Sequence, residues 1–375
     1  MKILICGDFT TCGRGQEAVN EKTALSPEVV NIVKSADVSI VNLEAPVADV
    51  SDKKLDKHGP NLRTDASTVT YLKECGFTHV TLANNHFYDY CDAGVEKTLA
   101  VLSRNVLGYV GAGRTPEDFR RPLDLGDVVV LNYCEHEFSV HEPMGCNPLN
   151  PIQAYYDITK AKNEGKRAIV IVHGGHEGYN LPSPRMVELY RYFIDCGASI
   201  VLNHHQHCYS GWEEYHNGKI FYGLGNFFFD DFRPVRQRNI IWNSGYMVMV
   251  ETDSLDSEVY PYTQCLEEAT VEVLRPDEKS RFDSTIKVLN AIIADETLLN
   301  DNFTEFCDKG KNYRLTQFAP YSNRLLQIMC RRGLLPKFLG SKRLSELENV
   351  IKCEAHRDVI LNIMRNNEVS KSYYK

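Results

Sequence analysis

The first 230 residues predict a layered α/β fold, on three observations. Short β-rich runs alternate with helical patterns. The runs are apolar almost throughout, as in strands buried on both faces of a parallel or mixed sheet. Alternation of strand and helix is the signature of helices laid on such a sheet.

In chain order, "KILIC" (2–6) reads as the first strand, and the opening "MKILICGDFT" is too short in its apolar part for a signal peptide. "DVSIVNLE" (37–44), "FTHVTLA" (77–83), "RAIVIVH" (167–173) and "ASIVLN" (198–203) read as four more. "DVVVLNYCE" (127–135), "KIFYGLGN" (219–226) and "GYMVMVE" (245–251) predict further strands, antiparallel to some neighbours. Helices lie between. "DAGVEKTLAVLSRN" (92–105) sets Val95, Leu99 and Leu102 on one face. "SPRMVELYRYFIDCG" (183–197) has Ser183 at the N-cap, Pro184 in the first helical position and Gly197 just past the end. After about residue 275 strand signals fade. "RFDSTIKVLNAIIADETLL" (281–299) and "SKRLSELENVIKCEAHRDVILNIMRNN" (341–367) have helical periodicity and many charges. The expected organisation is a main domain over 1–270 and a C-terminal helical extension over 271–375, which either covers the main domain or binds a partner.

Composition excludes several classes. The chain has 375 residues and a formal net charge of −8, so it carries no basic footprint for nucleic acid. No run reaches the ~18 apolar residues of a membrane span. Twelve cysteines are irregularly spaced without a CxxC pair. They read as reduced thiols used as small hydrophobes, and with the other features they favour a cytoplasmic chain.

The chemistry lies where strands end. Gly7-Asp8 follows the first, Asn42-Leu43-Glu44 closes the second, and Asn84-Asn85-His86 follows the third. His173-Gly174-Gly175-His176-Glu177 and His204-His205-Gln206-His207 close the fourth and fifth. Each cluster alone has an ordinary explanation: a Gly-Asp turn, a loop of side chains bonded to backbone, a satisfied buried histidine. Together they predict convergence, because ligands of open α/β sheets bind outside the carboxyl ends of the strands. Carboxylates, neutral imidazoles and an amide oxygen suit Zn, Mn or Fe. The set is too large for one four-coordinate ion, which favours two divalent ions.

The ordered motifs Gly7-Asp8, Asn42-Leu43-Glu44, Asn84-Asn85-His86 with Asp89, His173 to Glu177, His204 to His207, and Leu224-Gly225-Asn226-Phe227 resemble those of the CapA family, linked to capsule and poly-γ-glutamate synthesis. The resemblance covers roughly residues 1–265. It implies the fold of calcineurin-like metallophosphoesterases, a two-layer mixed β-sandwich flanked by helices with a two-metal site. It also implies roles. Asp8 would bind the first metal and Glu44 would take the bridging position. Asn85 and His173 would bind the second, with His205 and His207 completing the pair. His86 would be the catalytic general acid, and Glu177 and Asn226 would line the substrate pocket. The chain departs from the pattern in three places: Asp8-Phe9-Thr10 lacks the histidine of Asp-x-His, Asn203 and Gln206 stand where Gly and Pro are usual, and the fourth motif begins His-Gly-Gly. The implied function is a metal-dependent hydrolase acting on a phosphoester or a γ-glutamyl amide, taking a small molecule or polymer end and working beside capsule or polysaccharide synthesis proteins. The alternative is a non-catalytic accessory of polymer synthesis that uses the site for binding.

Overall fold

The structure is a computed structural model and describes residues 1–57, 59–230, 241–316 and 341–366. In chain order its strands are β1 Lys2–Thr10, β2 Val38–Leu43, β3 His79–Thr81, β4 Gly108–Val110, β5 Ala112–Gly113, β6 Leu123–Asp124, β7 Val128–Cys134, β8 Gly145–Cys146, β9 Arg167–His173, β10 Ala198–His204, β11 Trp212–Tyr215, β12 Gly218–Phe221, β13 Asn226–Phe229, β14 Ser244–Glu251, β15 Ser257–Gln264 and β16 Val271–Val273.

Two mixed sheets carry most of them, and the architecture is α/β. The larger runs β16-β15-β14-β1-β2-β3-β4, with β13 also pairing β1; the smaller runs β11-β12-β10-β9-β7-β6. In each sheet the middle strands are parallel: β1 with β2, β2 with β3, β7 with β9, and β9 with β10. Their carboxyl ends therefore point one way within each sheet. Strands β14 to β16 and the edges β11 and β6 run antiparallel to their neighbours. The apolar runs explain the placement, since Ile3, Leu4, Ile5, Val170, Ile171, Val172 and Val201 are all fully buried.

The helices follow their sequence signals. In Pro184–Cys196 the Ser183 hydroxyl accepts from Met186 N at 3.4 Å, and Gly197 ends the helix at φ 119°. Its buried face is Met186, Val187, Tyr190, Phe193 and Ile194. Each large side chain so buried contributes about 1.5–3 kcal/mol. The helix Cys91–Arg104 buries the expected Val95, Leu99 and Leu102. Strand β3 is shorter than its apolar run: Phe77 N already closes the preceding helix on Leu72 O.

The chain divides into two compact units, Met1–Leu55 with Asn61–Leu299, and Asp56–Pro60 with Asn300–Lys375. The composition shift near residue 275 marks the end of the last strand, whereas the compact units part at Leu299/Asn300. Strand β16 pairs with β15, and the helix Pro276–Ala294 belongs to the first unit, where its Asn290 Oδ1 accepts from Trp212 N at 2.8 Å. In the second unit, helices Ser341–Lys352 and Glu354–Asn366 pack on each other. Asn367 of the expected helix and Cys330 lie outside the described residues. The other eleven cysteines are free thiols, nine of them buried. Among the described residues no helix is long and apolar enough to cross a membrane.

Candidate metal centre

Strand β1 delivers Asp8 through a close backbone crossing. Asp8 N donates to Gly225 O at 3.3 Å, and a Cβ on Gly7 would stand 1.9 Å from that oxygen, so only glycine fits at position 7. The β1 register shifts at Asp8 against both β2 and β13. An irregularity of this kind re-aims a side chain. Asp8 is fully buried; Oδ1 accepts from Asn42 Nδ2 at 2.7 Å and Oδ2 from the His205 backbone N–H at 3.1 Å. Thr10 Oγ1, two residues on, is buried and makes no hydrogen bond.

Glu44 follows β2, its backbone N–H bonded to Phe9 O at 2.9 Å. Its Oε1 lies 3.6 Å from His173 Nε2 and 3.8 Å from His207 Nε2. After β3, Asn84 is spent on the backbone. Its Nδ2 donates to Leu43 O and Asn42 Oδ1, and its Oδ1 accepts from His86 N. That frees Asn85, whose Oδ1 lies 3.0 Å from His173 Nε2. His86 Nδ1 sits 2.6 Å from Asp89 Oδ2, which also accepts from Leu62 N. A carboxylate only accepts, so Nδ1 carries the proton and Nε2 is the ring's working nitrogen.

The 203–207 turn is built the same way. Asn203 Nδ2 donates to Gly174 O and to Gln206 Oε1, while its Oδ1 accepts from Tyr190 OH at 2.6 Å. Gln206 Nε2 donates to Tyr179 O and Leu181 O. The two residues that replace the usual Gly and Pro are thus clasps. Between them the backbone is forced: His205 has φ 85° and His207 φ 56°. A non-glycine residue in this region carries about 1–2 kcal/mol of strain. His205 Nδ1 ends 3.1 Å from His173 Nε2.

Burial dominates the electrostatics. It lowers the pKa of His173 well below the ordinary value, with the neighbouring His205, His204, His207 and His86 adding to the effect. Burial also lowers His204 and His205, against the pull of Asp8 on the first and Glu177 on the second. Neutral imidazole is the form that ligates metal. Among the donor groups that result, two share Glu44: Glu44, His173 and His205, and Asp8, Glu44 and His207. Donors on a tetrahedral ion with ~2.0–2.1 Å bonds lie about 3.3 Å apart. Around His173 Nε2 the neighbours stand at 3.0, 3.1 and 3.6 Å, which brackets that spacing. The residues fit a metal centre in spacing, protonation and donor type.

The family model described as bacterial capsule synthesis protein PGA_cap matches residues 2–231. The chain belongs to this family. It is 34% identical over 212 residues to a capsule biosynthesis protein CapA of Bacillus anthracis, covering 53% of this chain and 52% of that one. It is 30% identical over 230 residues to a PGA biosynthesis protein CapA of Bacillus subtilis (strain 168), covering 58% and 60%. The chain spans half to three fifths of the length of these relatives. One solved structure aligns over 69% of this chain and 97% of its own at 13% identity, with a TM-score of 0.39.

All nine residues expected of the site fall inside the PGA_cap match. Asp8, Glu44, Asn85, His173, His205 and His207 come together, each at most 8% exposed. His86 adjoins them, paired with Asp89. Glu177 is exposed, yet its carboxylate groups with His205 and His207. Asn226 stands behind His207: Oδ1 lies 2.8 Å from Nδ1, and Nδ2 donates to His207 O and Trp242 O at 3.3 Å. That contact fixes the ring with Nε2 toward Glu44. His204, which the sequence reading left out of the ligand set, groups with Asp8 and His173. The sequence reading also missed Asn42, whose Nδ2 donates to Asp8 Oδ1 at 2.7 Å. It missed Glu135, fully enclosed at the end of β7, which takes Gly175 N and the Arg185 guanidinium. Glu135 carried the same signal as Glu44, an acid directly after an apolar strand.

Proposed function

We propose that this chain is a two-metal hydrolase of capsule or poly-γ-glutamate synthesis, built on the calcineurin-like metallophosphoesterase plan and cleaving a phosphoester or γ-glutamyl amide. The observation that carries it is the buried convergence of Asp8, Glu44, His173, His205 and His207 in two donor groups that share Glu44. In this reading Asp8, Glu44 and His207 hold one divalent ion, and Glu44, Asn85, His173 and His205 the other. Zn, Mn and Fe suit this donor set. When bound, such ions polarise the scissile group and neutralise developing charge.

The chain's own residues supply the rest. Asn42 holds Asp8 and Asn226 holds His207, so the ligands are set before a substrate arrives. His86 donates a proton to the leaving oxygen or nitrogen from Nε2, while Asp89 holds its Nδ1 and offsets the ring's charge. The substrate is a small molecule or polymer end, and the working partners are other proteins of polymer synthesis. The division into a main domain and a helical extension, and a cytoplasmic location, belong to the same proposal. The relatives' names speak of biosynthesis rather than hydrolysis, which favours one second reading: an accessory that binds polymer at this site without turnover.

Elemental analysis of the purified chain and of the His205→Ala/His207→Ala pair is the first test. About two ions per chain, falling to one or none in the variant, supports the reading. A metal-free wild type refilled by neither Mn nor Zn overturns it. Turnover on phosphoester and γ-glutamyl panels then separates the hydrolase from the accessory.

A further inference from the structure

The 174–178 loop is zipped onto the histidine turn. Gly174 N donates to His204 O at 3.3 Å and Gly178 N donates to Gln206 O at 2.8 Å. Gly175 N is moored on the other side to Glu135 Oε2 at 3.2 Å. Three backbone bonds thus fix the residues around position 177, and they fix it opposite His205 and His207. One Glu177 carboxylate oxygen lies with ring nitrogens of both histidines inside 4.8 Å. Glu177 is also the leading charge acting on His205. An exposed acid is ordinarily a solvated surface charge; one pinned by its backbone against two buried imidazoles is not.

Glu177, His205 and His207 form a donor group of their own, with one histidine drawn from each of the two proposed ion sites. We propose that Glu177 is a further metal ligand, binding beside His205 and His207 on the solvent side of the centre and giving way when a substrate anion takes its place. This rests on the two-ion reading above and assigns Glu177 to the metal rather than to the pocket wall. The carboxylate leaves by rotation of the exposed Glu177 side chain, the loop backbone staying on its three bonds.

The test is calorimetric titration of the metal-stripped full chain with Mn²⁺ or Zn²⁺, comparing wild type, Glu177→Gln and Glu177→Asp. The glutamine variant keeps size and polarity and removes only the ligating charge. Expected is at least a tenfold weaker affinity for one ion in Glu177→Gln, the other unchanged, with partial recovery in Glu177→Asp and unaltered melting of the stripped protein. Adding inorganic phosphate to the loaded protein gives tighter phosphate binding in Glu177→Gln than in wild type, because the competing carboxylate is gone. Wild-type metal affinities in Glu177→Gln overturn this inference and leave the two-ion reading standing. A wild type that binds no ion overturns both.

Discussion

Two loops at the ends of parallel strands supply much of the centre, and they solve one problem by different means. The 84–89 loop presents Asn85 and His86 with ordinary backbone, because Asn84 bonds to Asn42, Leu43 O and His86 N and shapes the turn by side chain alone. The 203–207 turn presents His205 and His207 only by holding both at positive φ, with Asn203 and Gln206 as clasps. The first loop delivers one amide oxygen and one imidazole to the site's edge. The second must aim two imidazoles from three consecutive residues into one buried space. The difference teaches that the amide residues flanking a ligand run divide into ligands and clasps, and that the clasps set the angle at which ligands arrive.

The comparison can be broken in several ways. Replacing His86 with Ala removes the proton carrier and no donor, so metal content stays at the wild-type value while turnover, once a substrate is in hand, falls about 10²–10⁴-fold. Metal loss in that variant would place His86 among the ligands. Asn203→Ala strands Tyr190 OH, Gly174 O and Gln206 Oε1 in a buried network. With about 1–3 kcal/mol for each buried group left without its bond, partly recovered by relaxation, the expected cost is about 3 kcal/mol in urea unfolding. A cost below about 1 kcal/mol would remove Asn203 from the clasp role. Asn84→Ala should cost less, about 2 kcal/mol, since its loop carries no strained residue. Glu135→Gln is expected to have the smallest effect on folding, because amide and acid are alike in shape. Its loss of the Arg185 ion pair should show as faster hydrogen exchange at Gly175 N, against unchanged exchange in the core of β9. No change at Gly175 would mean the loop is held by its other two bonds.

The convergence of the candidate ligand side chains was legible in the sequence because a strand end is a place, and the five strands found by their apolar runs put their terminal polar residues in one neighbourhood. The same runs predicted β2, β9 and β10 nearly to the residue, and the start of β1, which runs four residues past its apolar stretch to Thr10. Two kinds of feature were not legible. Strands β15 and β16 carry Glu, Ser, Tyr and a proline among their apolar positions, so their periodicity is broken and only pairing with β14 and with each other reveals them. The clasps escaped for a different reason. Asn42, Asn203 and Gln206 have the chemistry of ligands, and only their partners, 34 residues away for Asn42 and Asp8 and 42 for Asn42 and Asn84, show that they hold rather than bind. The Glu135 and Arg185 pair, 50 residues apart in the chain, joins two elements that no local pattern connects.

The positive φ angles of His205 and His207 make this turn a place where stability and chemistry can be traded against each other. Glycine adopts such angles without steric cost, so His205→Gly releases the strain of about 1–2 kcal/mol while losing the imidazole's packing and adding chain entropy to the unfolded state. Alanine loses the same imidazole and keeps the strain. The glycine variant of the metal-stripped protein is therefore expected to melt no lower than the alanine variant, although glycine is the poorer residue in most settings. A metal-free chain released from its duties would drift toward glycine at these two positions, and engineers seeking a robust, inert scaffold from this fold should begin there.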